Sequence, residues 1–302
     1  MLAVAEHHSF SAAARALHTV QSNVSTHVAH LEKELGAVLI DRMRGELTPE
    51  GEVVADRARR IISELRAIQD DLVSLRDDVG GSVRAGVIGT TARWLVPALL
   101  DSLSRSFPRV ELLIIEATTT SLIPQLLSDR LDIAVVNLPV DDPDVDTQFL
   151  FEEDRVLVVP TGHPLADHDR VDLPEIARHE IMLPPQGTAF RDEIDADAER
   201  ARVTLATKAE VDGLRLLTSL AFQGFAPSLV PASAVPTGLS GNWKRVEIDG
   251  VSPRLAGLAT PRRTAPSAPT RVVIDAIVDV VAAIGPGIDG INPELADPHP
   301  ES

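Results

Sequence analysis

The sequence predicts an α + α/β chain: a small helical unit with a glycine-containing wing, one long helix, and a larger body of alternating strands and helices. Three patterns carry this. Over residues 9–48, small and apolar residues recur at the spacing of two short helices joined by a tight turn. Over residues 54–79, apolar residues step alternately by four and three. From Ser82 onward, strand-length apolar runs alternate with amphipathic helical ones, which implies a mainly parallel sheet with helices on its faces.

In the first unit, Ser9 or Ser11 can accept a hydrogen bond from an orphan helix N–H and start a helix. Ala12, Ala13, Ala14 and Ala16 favour that helix and admit a close neighbour. His18-Thr19-Val20 is the turn, and the next helix runs over Gln21–Leu35 and stops at Gly36. Val24, Val28, Leu31 and Leu35 fall on one face of it. At about 100° per residue, Ser22, Asn23, Thr26, Ala29, His30 and Lys33 point the other way. A helix lying in a major groove needs such a small, polar surface with base-reading groups near its N-terminus. Periodicity alone serves equally an amphipathic helix of any small helical domain.

The spacing separates the two. Ser-Phe-x-x-Ala-Ala-x-x-Leu from Ser9, Gln-x-x-x-Ser from Gln21, and Leu-Glu-x-x-Leu-Gly-x-x-Leu-x-x-Arg from Leu31 resemble the LysR-type transcriptional regulators. The resemblance runs to about residue 284. It implies a winged helix-turn-helix over 1–51, with base contacts at Gln21, Ser22, Ser25 and Thr26 and phosphate contacts at Arg42 and Arg44. Asn23 and His30 join the DNA-binding set from the same outer face. Three departures stand out. Thr26 sits where the family often has Arg, which removes a bidentate guanine contact. The wing, 43–46, is short and carries Glu46. The family has further residues before Leu2-Ala3-Val4-Ala5-Glu6, so the first helix is expected to be short and translation to start upstream of Met1.

Composition bounds the remainder. A chain of 302 residues predicts two or three domains. It holds no apolar run long enough for a membrane span, and residues 1–10, with Glu6, His7 and His8, form no signal peptide. The absence of cysteine excludes disulfides and thiol redox sensing and suits the cytoplasm. The net charge of −17 opposes DNA binding, but its distribution does not. Residues 1–66 hold eight Lys/Arg and nine Asp/Glu, so the acidity lies in the body. Weak non-specific DNA binding and strong salt sensitivity follow. His27 and His30, at i and i+3, could hold a metal but lack a third ligand of suitable spacing; no metal and no cofactor is expected.

The next helix spans 49–79. Val54, Ala58, Ile61, Leu65, Ile68, Leu72, Leu75 and Val79 form an uninterrupted heptad seam. Such a seam suits a two-helix dimer interface, and a dimer presents two reading heads to a two-fold-related operator. The linker and dimerisation helix is placed at 52–79, with Gly80-Gly81 as a hinge.

In the body, strands are expected at 83–88, 110–115, 132–136, 151–159, 180–183, 205–210, 228–230 and 255–260. Helices are expected at 90–107, 120–128, 191–200, 214–222 and 271–284. The resemblance implies a two-lobed α/β effector-binding domain over 82–284, similar to periplasmic binding proteins. Its lobe I would be 82–159 with 262–284, its lobe II 160–261, with crossings near 157–161 and 259–263. Leu131-Asp132-Ile133-Ala134-Val135-Val136, His163-Pro164-Leu165-Ala166 and Gln223-Gly224 leading to Val230-Pro231 are its landmarks. Asp129 stands where a helix-ending Gly is usual. The Gly-, Pro- and Asp-rich tail, 285–302, reads as disordered.

Ligands of open α/β sheets bind at the carboxyl ends of strands. Those ends carry Thr90, Thr91, Arg93, Thr118, Asn137, Gln186, Thr188 and Asp212, which with helix N-termini suit a small anion. Each hydroxyl or amide there also serves as an ordinary helix cap. Gly285-Pro286-Gly287-Ile288-Asp289-Gly290 matches GxGxxG by letter but follows a helix, so it is set aside. No catalytic constellation emerges. The expected partners are double-stranded DNA, a small-molecule effector, further copies in a homodimer or homotetramer, and RNA polymerase if the protein activates; no membrane is expected. A solute-binding protein would share the lobes but has no use for residues 1–79, and an enzyme lacks its motif.

Overall fold

The computed structural model describes residues 1–74, 79–235, 238–263 and 265–293. The first unit holds α1 (Leu2–His7), α2 (Phe10–Ala16), α3 (Gln21–Leu35) and a wing of two antiparallel strands, β1 (Ile40–Asp41) and β2 (Glu46–Leu47). The Ser9 hydroxyl accepts from the Ala12 amide at 3.3 Å and so starts α2. Gly36 ends α3 in the left-handed region, φ 68°. Val4, Ala13, Ala14, Val24, Val28 and Ile40 make a small core. The expected apolar face of α3 is only partly covered. Val24 and Val28 are buried, Leu31 half-buried and Leu35 exposed, because the core beneath α3 stops at Val28.

α4 (Pro49–Ser74) is the long helix. Its last expected seam residue before Val79, Leu75, lies outside the described residues. Ile61, Leu65, Ile68 and Leu72 are 62, 57, 55 and 58% exposed in the single chain, so this part of the seam has little cover from its own fold, while Val54 and Ala58 before it are half-buried. The other side of α4 packs on the body. The Asp71 carboxylate accepts from the Ala268 amide at 2.8 Å, and Arg60 pairs with Asp129 at 3.5 Å. Gly80-Gly81, expected as a hinge, instead open β3 (Gly80–Val87), paired with Arg109 and Val110. A Cβ on Gly81 would lie 2.6 Å from Asp70 Oδ1, so this glycine admits the linker carboxylate.

The body continues with α5 (Gly89–Ser106), β4 (Arg109–Glu116), α6 (Thr119–Leu127), β5 (Ile133–Leu138) and β6 (Val145–Glu153). The chain then crosses to a second sheet. This lobe holds β7 (Arg155–Pro160), β8 (Arg170–Asp172), α7 (Leu173–Ile176), β9 (Glu180–Leu183), α8 (Ala189–Arg200), β10 (Ala206–Glu210), α9 (Leu214–Phe222), β11 (Ser228–Pro231) and β12 (Trp243–Asp249). It returns through β13 (Arg254–Pro261), α10 (Ala268–Ile284) and β14 (Ile291–Asn292). Among the described residues the strand orders are β14-β6-β13-β5-β3-β4 and β10-β9-β11-β7-β12-β8. Both sheets are mixed: β3 is parallel to β4 and β5 while β13 is antiparallel to β5 and β6, and β7 is antiparallel to β11 and β12.

Two expected boundaries move. The strand expected at 151–159 is two strands, broken at Asp154, and β13 lies wholly in the first sheet. The crossings are therefore at 153–155 and 250–253, not near 157–161 and 259–263. The charge run Glu152-Glu153-Asp154-Arg155 explains the break. Glu153 and Arg155 are buried charges, and each needs a partner from a different lobe element: Arg254 for Glu153, and Glu193 and Asp197 for Arg155. Part of the segment expected to be disordered is structured. Residues 285–293 are ordered, with β14 pairing β6 through Ile291 and Glu153; residues 294–302 lie outside the described residues.

α5 and α10 cover one face of the first sheet over Val83, Leu95, Phe151 and Ile277, and α6 covers the other over Leu122 and Val136. In the second lobe α8 packs with Ile181 and Leu183, and α9 with Met182 and Val230, on opposite faces. Two sheets with separate cores, joined by two short crossings, give two lobes whose gap lies at the carboxyl ends of β3, β4 and β5 (the expected place for a ligand).

Candidate nucleic-acid interface and inter-lobe site

Seven of the eight expected DNA-binding residues are exposed around α3 and the wing: Gln21, Ser22, Asn23, Thr26, His30, Arg42 and Arg44. Gln21 accepts from the Ser11 hydroxyl at 3.1 Å, and Asn23 donates to Thr19 at 3.1 Å. These contacts pin the first turn of α3 to α2 and the preceding turn. Ser25 is half-buried and accepts from Arg42 at 3.2 Å. Arg42 also pairs with Glu32 at 2.9 Å and lies over the Phe10 ring at 5.6 Å. Its charge is thus largely compensated within the unit. Arg44, at the wing tip, has no side-chain partner among the described residues and is the freer cation for a phosphate. His30 lies 3.6 Å from Glu34, and among the described residues no cluster of three or more metal-ligating side chains is present.

Sequence reasoning overlooked Glu32. Its carboxylate accepts from the Leu39 amide at 2.9 Å and the Ile40 amide at 3.3 Å, which ties the reading helix to the first wing strand. Burial pushes the Glu32 carboxyl up, but the two amides and Arg42 pull harder, and its pKa falls below the ordinary value. The wing turn is closed by Asp41, which accepts from the Met43 and Arg44 amides at 2.8 and 3.2 Å. Gly45 takes φ 69° against the carbonyl of His8, where a Cβ has no room.

The expected effector residues divide. Thr90 is buried at the start of α5, and its hydroxyl accepts from Arg254 at 2.9 Å. Thr91 is buried beside it, with its hydroxyl lacking a hydrogen-bond partner among the described residues, as is Asn137 Oδ1. Arg93 donates to the Ala234 carbonyl at 3.2 Å and so bridges the lobes. Thr118 is exposed and bonds within its own turn to Thr120 and Ser121; Thr119, not Thr118, accepts from the Asn137 amide, at 2.9 Å. Thr188 donates to Pro185 at 2.8 Å, while Gln186 and Asp212 are exposed. Beyond the sequence reading, the buried pair Arg254–Glu153 joins Thr90 to the Ser233 amide of the second lobe, 2.7 Å from Glu153. The signal for it was Arg254 at the head of one apolar run and Glu153 inside a run of four charges between two others.

Two family models match the chain: the bacterial regulatory helix-turn-helix of the lysR family over residues 1–52, and the LysR substrate binding domain over 76–282. The chain belongs to the LysR-type transcriptional regulators. As a LysR-type regulator it pairs a DNA-binding head with an effector-binding domain. A probable hydrogen peroxide-inducible genes activator of Streptomyces viridosporus is 33% identical over 236 residues, 77% of this chain and 76% of the relative. A hydrogen peroxide-inducible genes activator of Pectobacterium carotovorum is 27% identical over 288 residues, 93% of each chain. Full-length OxyR of Pseudomonas aeruginosa, solved with a cysteine-to-aspartate substitution, superposes with a TM-score of 0.72 at 25% identity, covering 93% of this chain and 92% of that one.

Proposed function

We propose that this LysR-type regulator binds a two-fold-symmetric promoter site as an oligomer and answers to a small anionic metabolite held between its lobes. The observation that carries the effector reading is the composition: relatives are named for induction by hydrogen peroxide, yet this chain has no cysteine. A thiol switch needs a thiolate, so the signal here is a bound molecule. Such a molecule shifts the lobes only if it binds their two arrangements with different affinity.

The anionic character is supported by the uncapped N-terminus of α5 and by Arg93 beside it. Thr90, Thr91 and Asn137 form the inner part of the proposed site, with Thr118, Gln186, Thr188 and Asp212 at its rim. Gln21, Ser22, Asn23, Ser25, Thr26 and His30 are the proposed base-reading set, and Arg42 and Arg44 the phosphate contacts. The exposed seam of α4 supports a dimer. Exposed Leu100, Leu113, Leu216 and Phe225 on the lobes support a second interface and hence a tetramer. The protein acts in the cytoplasm, catalyses no reaction, and touches RNA polymerase where it activates.

The test is a footprint on the intergenic DNA beside the gene, over a range of salt, with and without hydrogen peroxide. The expected result is protection of an interrupted two-fold-symmetric site that weakens steeply with salt and ignores peroxide. A peroxide-dependent footprint on purified protein overturns the effector reading.

A further inference from the structure

A cavity of about 730 Å³ opens between the lobes on the α5 and α9 side. Of the eight expected effector residues only Thr90 and Arg93 line it. Its polar end is built by two charges from different lobes. Glu116, the last residue of β4, meets Arg215 of α9 at 3.0 Å. The same carboxylate lies against the first turn of α5: a Cβ on Gly89 would stand 2.8 Å from Glu116 Oε1. That helix has 18 residues, and its N-cap, Ile88, offers no side-chain acceptor to the free N–H groups. The Glu116 carboxylate thus sits between the positive end of a helix and a guanidinium, the surroundings that an anionic ligand seeks. The rest of the lining is mixed: Thr90, Arg93, Thr218 and Ser219 are polar, while Val96 and Ile114 from one lobe and Phe222 and Leu239 from the other give an apolar side.

We infer that Glu116 holds the place of the carboxylate of an anionic effector with a small apolar or aromatic body. The inference rests on the effector reading above and deepens it. On binding, the ligand carboxylate takes Arg215 and the α5 N-terminus, its body fills the space beside Phe222, and Glu116 turns to solvent. An ion pair internal to the protein is exchanged for one made through the ligand, so the ligand becomes the bridge between lobes. Glu116 then sets a threshold, because every anion must outcompete it.

Trp243 lies against Phe222, ring centroids 4.5 Å apart with the planes tilted by 36°, so its fluorescence reports the cavity. The full chain is titrated with benzoate and, as the neutral isostere, benzamide. Glu116→Gln is expected to tighten benzoate roughly two- to fivefold, the span of a part-exposed ion pair. Arg215→Gln is expected to weaken it about tenfold or more, as for loss of a charge-assisted hydrogen bond. Benzamide is expected to gain nothing from Glu116→Gln. Unchanged or weaker benzoate binding by Glu116→Gln, no response to benzoate in that variant, or equal gains for benzamide overturns the inference. A footprint of the unliganded variants is read in parallel. Intact operator protection with any of those results removes this inference and leaves the regulator standing; lost protection in wild type removes the regulator reading itself.

Discussion

Replacing Glu32 with alanine should loosen the DNA-reading head without touching any base-reading side chain. Its carboxylate accepts from the amides of Leu39 and Ile40, both at fully buried residues, and from Arg42. Truncation leaves two amides without an acceptor, each worth about 1–3 kcal/mol if water cannot reach it. It also removes an ion pair whose arginine is 47% exposed, worth at most about 1 kcal/mol. Allowing water at the exposed edge, the expected loss is about 3 kcal/mol for Glu32→Ala. Glu32→Gln keeps an amide acceptor and should lose about 1 kcal/mol. The two variants also differ in pH dependence. The folded pKa of Glu32 lies below its unfolded value, so its stabilisation is present above the unfolded value and lost as pH falls through the folded one. The gap between wild type and Glu32→Gln should therefore close in acid, from about pH 4.3 downward. The assay is amide hydrogen exchange at Leu39 and Ile40, alongside operator affinity. Wild-type exchange rates in Glu32→Ala, or a gap to Glu32→Gln that persists in acid, would refute the reasoning.

Other substitutions probe other parts of the fold. Leu65→Asp puts a charge in the exposed α4 seam and should yield monomers in sedimentation and weak operator binding, with the fluorescence of Trp94 and Trp243 unchanged; dimers of wild-type affinity would remove the seam from assembly. Arg254→Leu strands Glu153 in the buried crossing and should cost about 3–5 kcal/mol in urea unfolding of the body, and a loss under about 1 kcal/mol would mean that Glu153 finds another partner. Asp71→Ala removes the acceptor for the Ala268 amide and should cost about 1 kcal/mol, visible as faster amide exchange in the first turn of α10.

The elements that were legible in the sequence are those set by local chemistry. Gln21–Leu35 could be bounded to the residue because Gly36 supplies a left-handed cap and His18-Thr19-Val20 a turn, both short-range signals. The seam was readable over residues 54–72 because its period repeats over five steps there; its expected last residue, Val79, is not helical and lies just before β3. What escaped depends on distant partners. Glu32 looks like a solvent-facing helix residue, and only the folding of the wing against α3 turns it into a bracket. Asp154 looks like a charge within one strand; the reversal there depends on Arg254, a hundred residues on, and on Glu193 and Asp197. Thr90 was singled out as a ligand contact, and the structure gives its hydroxyl first to Arg254. Asp129, noted as an odd replacement for glycine, does adopt φ 54° and lies 3.5 Å from Arg60 of α4, so a residue poorly suited to its backbone gains a partner from another domain.

Among the described residues, the bonds from α4 to the body end on one lobe. Asp71 reaches α10, and Arg60 reaches Asp129 and the Leu127 carbonyl at the end of α6. Helix and first lobe therefore travel as a single lever arm, and the crossings at 153–155 and 250–253 lie beyond its far end. A swing of the second lobe does not bend this arm, so within one chain it has no direct mechanical route to the reading head. In the oligomer proposed above, such a motion would reach DNA by the second lobe pushing on the arm of a neighbouring copy. In such a machine the regulatory signal belongs to the assembly, and a chain freed from its neighbours would bind its effector and say nothing.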